Sequence, residues 1–444
     1  MLSTTDNDAL TRVGRGTPMG ELMRQYWVPA ILSRELVADG DTLRIRLLGE
    51  DLVAYRDTQG RVGVLGAHCP HRGADLFLAR NEEGGLRCIY HGWKFDVTGA
   101  CVDMPNEPEG TVFQHKIRQT AYPTRERAGL LWVFMGKGDA PELPELEWNM
   151  LPDDQILLKK RVQSCNWLQA LEGDIDQSHN SFLHTRHDQL KPVDMNVPQR
   201  QGAQLWRRLD KRPRFHVEDT RYGVLIGAQR NAYDDLDYWR ITHFMLPFHT
   251  IVGVYGDNPS RSARVWVPID DYSTLVIGAL YHPTRALSED EVMMARETGG
   301  GAGFVADANF NAPTTEPFGA WIPKASHEND FFFDRATQRT KYFSGIPEFW
   351  AQDGGVQIGM GPIYNRTLEH LGTTDRAIIR TRKRLLETAR TLADGGAAPP
   401  GVLDTEIYAL RGAAMLLRKD ADWLAAAEEF SEVIVGENQG APPR

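Results

Sequence analysis

A chain of 444 residues is long for a single hydrophobic core, so its length predicts two domains. Hydrophobic residues make up 41% of the chain and charged residues 25%, and 11 tryptophans and 13 tyrosines exclude a disordered protein. The formal net charge is -10 without any lysine- or arginine-rich tract, which excludes nucleic acid and anionic membranes as expected partners.

The amino-terminal sequence and the cysteine content predict a cytoplasmic protein. The stretch MLSTTDNDALTRVGRGTP lacks a basic start followed by an apolar run, and no window approaches 18 uninterrupted apolar residues. Four cysteines are too few to form a disulfide scaffold in a chain of this length. Two of them, Cys101 and Cys165, are therefore expected to be buried thiols.

The first third of the chain predicts a small β domain preceded by a helix. Residues 16–27, GTPMGELMRQYW, predict a short helix with Pro18 near its first turn. From about 42 to 137, short alternating runs separated by turn signals predict antiparallel strands. The segment 138–154 is rich in proline and acidic residues and is typical of a linker.

The remainder predicts an antiparallel sheet with helices, so the expected fold class is α+β. A helical stretch is expected over 165–185, followed by strands in RYGVLIGAQR, DYWRITHFMLPFHTIVGVY, SARVWVPID and STLVIGALYH. Residues 295–320 predict a long flexible loop, which in a compact domain is more often functional than accidental. Helices are expected over 373–393 and 420–435.

Two short motifs, AHCPHRGA at 67–74 and CIYHGW at 88–93, combine cysteine with histidine. Two thiolates and two imidazoles suit either tetrahedral zinc or a 2Fe-2S cluster with one iron held by sulfur and the other by nitrogen. Zinc modules usually pair like donors, whereas each loop here supplies one cysteine and one histidine. Mixed pairs let each loop reach both irons, although composition alone leaves zinc open.

A second group of candidate metal ligands lies in GDIDQSHNSFLH, residues 173–184, with the spacing D-x2-H-x4-H. Asp176 and His179 are three residues apart and share one face of a regular helix. His179 and His184 are about 140° out of register, so the helix must bend or end between them. On spacing alone, two unrelated surface histidines are the more frequent outcome.

Taken together, the two motifs resemble a known family. The order C-x-H, 16 residues, C-x2-H, with Pro70, Arg72, Gly73 and the pair Gly92-Trp93 around it, closely resembles the Rieske signature. The downstream D-x2-H-x4-H spacing is similar to the mononuclear iron site of Rieske non-haem iron aromatic ring-hydroxylating oxygenases. GTPMGELMRQYWVPA and GPIYNRTLEHLG resemble the phthalate dioxygenase-like branch of the oxygenase component.

The resemblance runs from about residue 17 to 390 and implies a division of the chain. It implies an N-terminal helical segment at 1–28, a Rieske 2Fe-2S domain at 29–140, and a catalytic domain with C-terminal helices at 155–444. The catalytic domain is expected to hold one Fe(II) per subunit. The implied 2Fe-2S ligands are Cys69, His71, Cys88 and His91.

The resemblance also implies the iron ligands. His179 and His184 are two of them, and EFWAQDGGVQ resembles the late segment that supplies the third, which points to Asp353. Asp375 is better interpreted as the N-cap of the following helix. His68, within the first motif but off its ligand spacing, is expected to be a loop residue near the cluster.

In the resembled family, the acid at the Asp176 position is a catalytic bridge. It links an iron histidine, here His179, to a cluster histidine of the neighbouring subunit, here His91. A carboxylate that accepts both imidazole N–H groups fixes their tautomers and couples proton position to cluster reduction. Asn166 and Glu172 are further candidates for this network, and a buried salt bridge or a plain helix surface is the alternative.

The function implied is the oxygenase component of a multicomponent dioxygenase. A flavin and iron-sulfur reductase would pass electrons from NADH to the cluster and then across a subunit interface to the iron. Both atoms of O2 would enter an aromatic carboxylate such as phthalate as a cis-dihydrodiol. The transfer implies a homotrimer or stacked trimers. Alternatives are a Rieske monooxygenase, such as an O-demethylase or hydroxylase of a substituted benzoate, a Rieske electron-transfer protein, and a structural zinc protein.

An acidic substrate requires cations in an otherwise apolar pocket. Arg240 in DYWRITHF alternates with apolar neighbours and is the first candidate, although a strand arginine is usually on the solvent face. The other candidate arginines are Arg207, Arg208 and Arg214. Aromatic residues that could line the apolar wall, or equally pack in the core, are Trp206, Phe244 and Phe248.

Overall fold

The structure is a computed structural model that describes residues 2–110, 113–187, 205–256, 259–300 and 303–433. Over these residues the α-helices with defined bounds are α1 (Thr4–Thr11), α2 (Pro18–Met23), α3 (Trp167–Ile175), α4 (Glu289–Thr298), α5 (Arg335–Thr340), α6 (Phe349–Gly359), α7 (Arg376–Ala393) and α8 (Trp423–Ser431). Short 3-10 turns connect many of the elements.

The amino-terminal part contains three small antiparallel sheets. The first has the order β1 (Trp27–Leu32), β10 (Leu130–Phe134) and β9 (Thr124–Arg127). The second has the order β2 (Leu43–Leu47), β3 (Glu50–Arg56) and β4 (Val62–Gly66). The third, which bears the second Cys/His motif, has the order β5 (Arg80–Glu82), β6 (Gly85–Arg87), β7 (Lys94–Phe95) and β8 (Cys101–Asp103).

The carboxyl-terminal part is built on an eight-stranded antiparallel sheet. Its strands lie in the order β11 (Ile156–Gln163), β17 (Thr274–Tyr281), β16 (Arg261–Pro268), β15 (His249–Val252), β14 (Leu236–Met245), β13 (Gly223–Asn231) and β12 (Arg214–Asp219), and β18 (Ala414–Arg418) pairs with β14. Helix α3 packs on β15 and β16, and α6 packs on α3. The predicted α+β class, an antiparallel β part followed by an antiparallel sheet with helices, is confirmed.

The main hydrophobic core joins the two parts. It extends from α1 and α2 through the β1–β10 pair and α3 to the large sheet and α7. A separate small core lies around the Cys/His loops and includes the buried side chains of Leu65, Leu86 and Phe95. The loops that carry the four candidate ligands therefore rest on apolar packing of their own.

Four predicted elements differ from the observed ones, and three of them lie outside the segment that carries His179 and His184. The helix predicted over 16–27 ends at Met23, and Trp27 begins the fully buried strand β1. The predicted linker 138–154 is packed into the core, because its apolar side chains, such as Trp148 at 1% exposure, cover the first sheet. The predicted loop 295–320 begins inside α4, and its residues 303–306 are buried.

The helical stretch predicted over 165–185 is shorter than expected. Asn166 caps α3 by accepting a hydrogen bond from the Leu168 amide, and the helix ends at Ile175. The Asp176 carboxylate accepts hydrogen bonds from both the amide and the hydroxyl of Ser178. This local turn competes with further helix, so the chain continues as a 3-10 turn at His179–Ser181.

The carboxyl-terminal helices agree with prediction in type. Helix α7 spans Arg376–Ala393, with Asp375 at its N-cap position, and α8 spans Trp423–Ser431. The last two residues of the predicted 420–435 helix lie outside the described residues. In the part of the chain that the structure covers, no helix combines the length and apolar character needed to cross a membrane.

Candidate active site

The two Cys/His loops have matching backbone geometry. The amide of Gly73 donates to the carbonyl of Cys69 at 2.8 Å, and the amide of Gly92 donates to the carbonyl of Cys88 at 2.9 Å. Both glycines have left-handed φ values, 73° and 80°, and a Cβ on Gly92 would lie 2.7 Å from Pro105. Glycine at both turns therefore lets the loops fold tightly around one point.

The loops bring like donors together in pairs. The thiols of Cys69 and Cys88 are buried side by side, and burial raises the pKa of the Cys69 thiol to about 11. The ring centroids of His71 and His91 lie 4.5 Å apart, and His71 stacks on Trp93 at 4.3 Å; both imidazoles are partly exposed. The sulfur donors thus lie in the interior and the imidazoles near the surface, where a partner can reach them.

The donor set fits a metal cluster. Nδ1 of His91 is buried, yet among the described residues no group forms a hydrogen bond with it. An imidazole nitrogen in that position would normally be paired, so its lone pair is available to a metal. Geometry alone suits either two irons or one zinc, since two thiolates and two imidazoles serve both.

The second candidate site forms where α3 ends and α6 begins. His179, in the turn after α3, and His184 face Asp353 on α6, and one donor atom from each lies within 4.8 Å of the other two. Nε2 of His184 lies 3.3 Å from Oδ1 of Asp353, and Nε2 of His179 lies 3.6 Å from the same oxygen. The structure thus assembles two imidazoles and one carboxylate at one point.

Hydrogen bonds fix both imidazole tautomers. Nδ1 of His179 lies 3.3 Å from Oδ2 of Asp176, and Nδ1 of His184 lies 2.7 Å from Oε1 of Gln352. Because a carboxylate and an amide oxygen only accept, each Nδ1 carries the proton and each Nε2 presents a lone pair toward Asp353. This is the donor arrangement of a metal site with two histidines, one carboxylate and open positions.

The charges of the group agree with this arrangement. Burial alone would raise the pKa of Asp353, but the imidazoles of His184 and His179 outweigh it and lower that pKa. Burial would likewise raise the pKa of Asp176, and the hydrogen bond with His179 lowers it. Both acids are therefore carboxylates at neutral pH, ready to bind a cation and to accept a proton.

Comparisons with known proteins identify the family. A family model described as Rieske [2Fe-2S] domain matches residues 26–121, and one described as LigXa C-terminal domain like matches residues 133–440. The chain belongs to the Rieske oxygenases. The match resolves the first site in favour of a 2Fe-2S cluster over zinc, and makes the protein the oxygenase subunit of an oxidoreductase that uses O2.

Relatives that span nearly the whole chain include dioxygenase subunits. This oxygenase is 40% identical over 438 residues to the 3-chlorobenzoate-3,4-dioxygenase oxygenase subunit of Comamonas testosteroni, covering 98% of this chain and 100% of the relative. It is 35% identical to the phthalate 4,5-dioxygenase oxygenase subunit of Pseudomonas putida, covering 95% of this chain and 94% of the relative. The 5,5'-dehydrodivanillate O-demethylase oxygenase subunit of a Sphingobium species is 32% identical, with 89% and 82% covered.

Solved structures share the fold. The reduced complex between oxygenase and ferredoxin in carbazole 1,9a-dioxygenase matches with a TM-score of 0.55 at 19% identity, covering 88% of this chain and 95% of that chain. Dicamba monooxygenase bound to dicamba matches with a TM-score of 0.54 at 17% identity, covering 84% and 98%. At these identities the likeness concerns the fold alone.

A cavity of about 90 Å³ adjoins His179, His184 and Asp353 in this oxygenase. Its aromatic wall comes from Trp266, Phe349 and Trp350, and Phe349 stacks on His184 with centroids 4.2 Å apart. The cations that line it are Arg161, Arg240 and Arg264. The cavity thus combines three aromatic side chains with three cations beside the two imidazoles and the carboxylate, which suits contact with an anionic group.

The candidate substrate arginines lie in different places. Arg240 lines the cavity, where it donates to the carbonyl of Gly253 and to the side chain of Gln177. Burial and the neighbouring Arg207 lower the pKa of Arg240 to about 9. Arg207 donates to Asn180, which also lines the cavity, at 3.2 Å. Arg208 is half-buried on the same helical turn as Arg207.

Arg214 lies elsewhere, half-exposed on the edge strand β12, where it contacts Gln229 and Asp237. The aromatic residues proposed for the wall also differ from those observed. Trp206, Phe244 and Phe248 are buried in hydrophobic clusters, and within the described chain they are not part of the cavity lining.

Two residues proposed for the Asp176 network serve other purposes. Asn166 caps α3 and donates to the carbonyls of Thr11 and Asp271. Glu172 is buried between the guanidinium groups of Arg366 and Arg382, which lower its pKa against the effect of burial. Exposed His68 contributes its carbonyl to Gln119, and its backbone pairs with Asp75.

Three residues of the site were not predicted from the sequence. Gln352 directly precedes Asp353, so the only available signal was its position in EFWAQDGG. Arg264 and Arg161 lie within strands, and Arg264 forms an ion pair with Asp174 at the cavity wall. An alternating strand pattern shows that two faces exist, but the sequence does not show which face borders a site.

Proposed function

We propose that this oxygenase oxidises an aromatic carboxylate and places both atoms of O2 on the ring as a cis-dihydrodiol. The observation that carries the proposal is the cavity beside His179, His184 and Asp353, where aromatic walls meet cationic side chains. A buried carboxylate without a cation is costly, and a buried cation without an anion is equally so. Two relatives named for chlorobenzoate and phthalate support an aromatic acid.

Two metal groups belong to this proposal. Cys69, His71, Cys88 and His91 would hold the 2Fe-2S cluster, and His179, His184 and Asp353 would hold one Fe(II) per subunit. When bound, the cluster supplies single electrons and the iron activates O2.

The chain itself positions protons and substrate. Asp176 and Gln352 hold the protons on Nδ1 of the two iron histidines, so that both rings keep one orientation. Arg240 would bind the substrate carboxylate, with Arg207 and Arg208 as weaker candidates and Arg214 the weakest. Trp266, Phe349 and Trp350 would hold the ring and exclude water.

We propose that electrons cross between copies of this chain in a homotrimer or in stacked trimers. Tyr90 and Ile89, next to His91, are 54% and 58% exposed, an unusual position for large apolar side chains. Packing of Ile89 and Tyr90 against a neighbouring copy would bring His91 to Asp176 of that copy. The Asp176 carboxylate is partly exposed and can therefore be reached from outside the chain. A head-to-tail contact of this kind forms a ring when the rotation between neighbouring copies closes.

The remaining parts of the proposal concern partners and organisation. We propose a flavin and iron-sulfur reductase that uses NADH as the electron donor, in the cytoplasm. We retain the division into segments 1–28, 29–140 and 155–444 as a proposal, alongside family matches that cover residues 26–121 and 133–440.

Monooxygenation is the second candidate, because one relative is an O-demethylase subunit at 32% identity. An isotope experiment separates the two. The oxygenase, an NADH-linked reductase and labelled ¹⁸O2 are incubated with phthalates, benzoates and methoxybenzoates. The proposal requires a dihydrodiol that carries two ¹⁸O atoms from one O2 molecule. Loss of a methyl group as formaldehyde, with the phenol oxygen unlabelled because O2 hydroxylates the methyl carbon, would establish O-demethylation, and a phenol with one ¹⁸O atom would establish ring hydroxylation. No oxidation of any aromatic acid would refute both candidates.

A further inference from the structure

The backbone register places Arg161 on the cavity face of the large sheet. Arg161 on β11 pairs with Val276, and Val276 pairs with Trp266 on β16. Directly paired residues of neighbouring strands share a face, and so do residues two apart on one strand. Arg161 therefore faces the same side as Arg264.

The same reasoning extends to Arg240 at the other side of the cavity. Arg264 pairs with Thr250 on β15, and Thr250 pairs with Phe244 on β14. Arg240 lies four residues before Phe244 and shares its face. Because β16 lies between β11 and β14 in the sheet order, Arg264 separates the other two arginines.

The three arginines differ in their counter-ions. Arg264 forms an ion pair with Asp174, so its charge is neutralised. Among the described residues, neither Arg161 nor Arg240 forms an ion pair with a carboxylate: Arg161 donates to the carbonyl of Gly303 at 3.1 Å and to the side chain of Gln163 at 3.2 Å. Within the described chain, neither guanidinium is therefore in direct contact with a carboxylate, and Asp353 and Asp174 act on Arg161 only at longer range.

Arg161 is also incompletely bonded. The Arg161 side chain is 6% exposed, and its guanidinium lies 5.4 Å from the ring centroid of Trp350. The buried Nε–H has no acceptor within the described part of the chain. Burial, and then the neighbouring Arg264, lowers the pKa of Arg161 to about 10, so the group is charged at neutral pH. A charged, buried donor group that lines a cavity provides a place for an anion.

We propose that Arg161 forms a second anion subsite and that the substrate is an aromatic dianion whose two acidic groups lie apart on the ring. The inference rests on the proposed function and narrows it. Arg240 binds one carboxylate and Arg161 the other, and the Arg264–Asp174 pair between them prevents both from binding the same group. Benzene-1,3- or 1,4-dicarboxylate fits this arrangement better than the adjacent carboxylates of the 1,2 isomer.

The test measures binding without turnover. Dissociation constants of the anaerobic holoenzyme are measured by titration calorimetry at pH 7 for benzoate and the three benzenedicarboxylates. The variants are Arg161→Gln and Arg161→Lys. The control is Lys159→Gln, which removes a cation of the same strand face that binds Val305 and Asp307 outside the cavity lining.

The wild type should bind the 1,3 or 1,4 isomer about tenfold or more tightly than benzoate. Arg161→Gln should remove the preference for the dicarboxylate and change the dissociation constant of benzoate less than about twofold. Arg161→Lys should keep part of the preference, and Lys159→Gln should keep all of it. Equal weakening of all acids by Arg161→Gln would show a structural role and overturn the subsite.

The wild-type measurements alone are decisive if the variants do not fold. A wild type that binds benzoate as tightly as every dicarboxylate would overturn the subsite but leave the proposed oxidation of an aromatic acid intact. A wild type that binds no aromatic acid, with both metals present, would overturn the proposed function together with the subsite.

Discussion

Oδ2 of Asp176 lies 3.3 Å from Nδ1 of His179, across the point where α3 ends. The contact exists because the carboxylate of Asp176 also accepts two hydrogen bonds from Ser178, which turn the chain out of the helix. The same residue thus ends the helix and orients the imidazole. Its exposed part is available to a second imidazole from outside the chain.

Replacement of Asp176 by asparagine tests this dual role. We expect both metal groups to remain bound and coupled product formation to fall about 100-fold, because asparagine keeps one accepting oxygen and turns a donor NH2 toward the other imidazole N–H. Metal analysis, the visible spectrum and the ratio of product to O2 consumed measure the effect. Asp176→Glu, which keeps the charge, is the control. Full activity in Asp176→Asn would show that Asp176 does not act as a bridge between the two imidazoles.

The metal content provides a second test. His184→Ala should reduce iron from about three to about two per chain and leave the cluster absorption unchanged, since the two sites use separate ligands. Cys88→Ala should abolish the visible absorption. His68→Ala is the matched control, because His68 is exposed and lies outside the ligand spacing. Retention of the third iron in His184→Ala would exclude this histidine as a ligand.

A site residue can be predicted from the sequence more readily when it lies in a short motif than when it is far along the chain from the other ligands. The cluster loops and the pair His179 and His184 lie in short motifs, so the family resemblance could be recognised there and could name their residues. Asp353 could be named only by resemblance, since more than 160 positions separate it from His184. The structure brings these three residues together at one point.

The residues that line the cavity wall could not be predicted from the sequence, for a physical reason. Phe244 and Trp266 are both aromatic residues in alternating strands, yet Phe244 is packed in the core and Trp266 borders the cavity. Which of them meets the substrate depends on the curvature of the sheet and on what covers it. Arg161 likewise could be recognised only once the register of three strands was known.

Arg240→Leu tests recognition of the carboxylate. Loss of a charge-assisted hydrogen bond should raise KM for an aromatic acid by about 10- to 100-fold and leave metal content unchanged. Steady-state kinetics with the reductase measure the effect. Arg221→Leu is the control, because it removes an exposed arginine that lies outside the cavity lining. An unchanged KM in Arg240→Leu would mean that the carboxylate is held elsewhere.

Two buried histidines away from the metals predict sensitivity to acid. Burial lowers the pKa of His243 to about 4 and that of His249 to about 3, below the ordinary value near 6.5. Since the unfolded chain binds these protons first, their contribution to stability is complete above about pH 6.5 and is lost as the pH falls toward the folded values. Each histidine should cost about 2 kcal/mol of unfolding free energy between pH 7 and pH 5.

His249→Phe isolates this contribution. His249 lies beside Phe248 and Tyr408, and its buried Nδ1 has no hydrogen-bond partner among the described residues, so an aromatic ring without a titrating group is the least disruptive replacement. Urea midpoints at pH 7 and pH 5 should differ less in the variant than in the wild type, because other acid-sensitive groups act equally in both. His216→Phe, at a partly exposed histidine on β12, is the control. The same midpoint shift in wild type and His249→Phe would contradict the assignment.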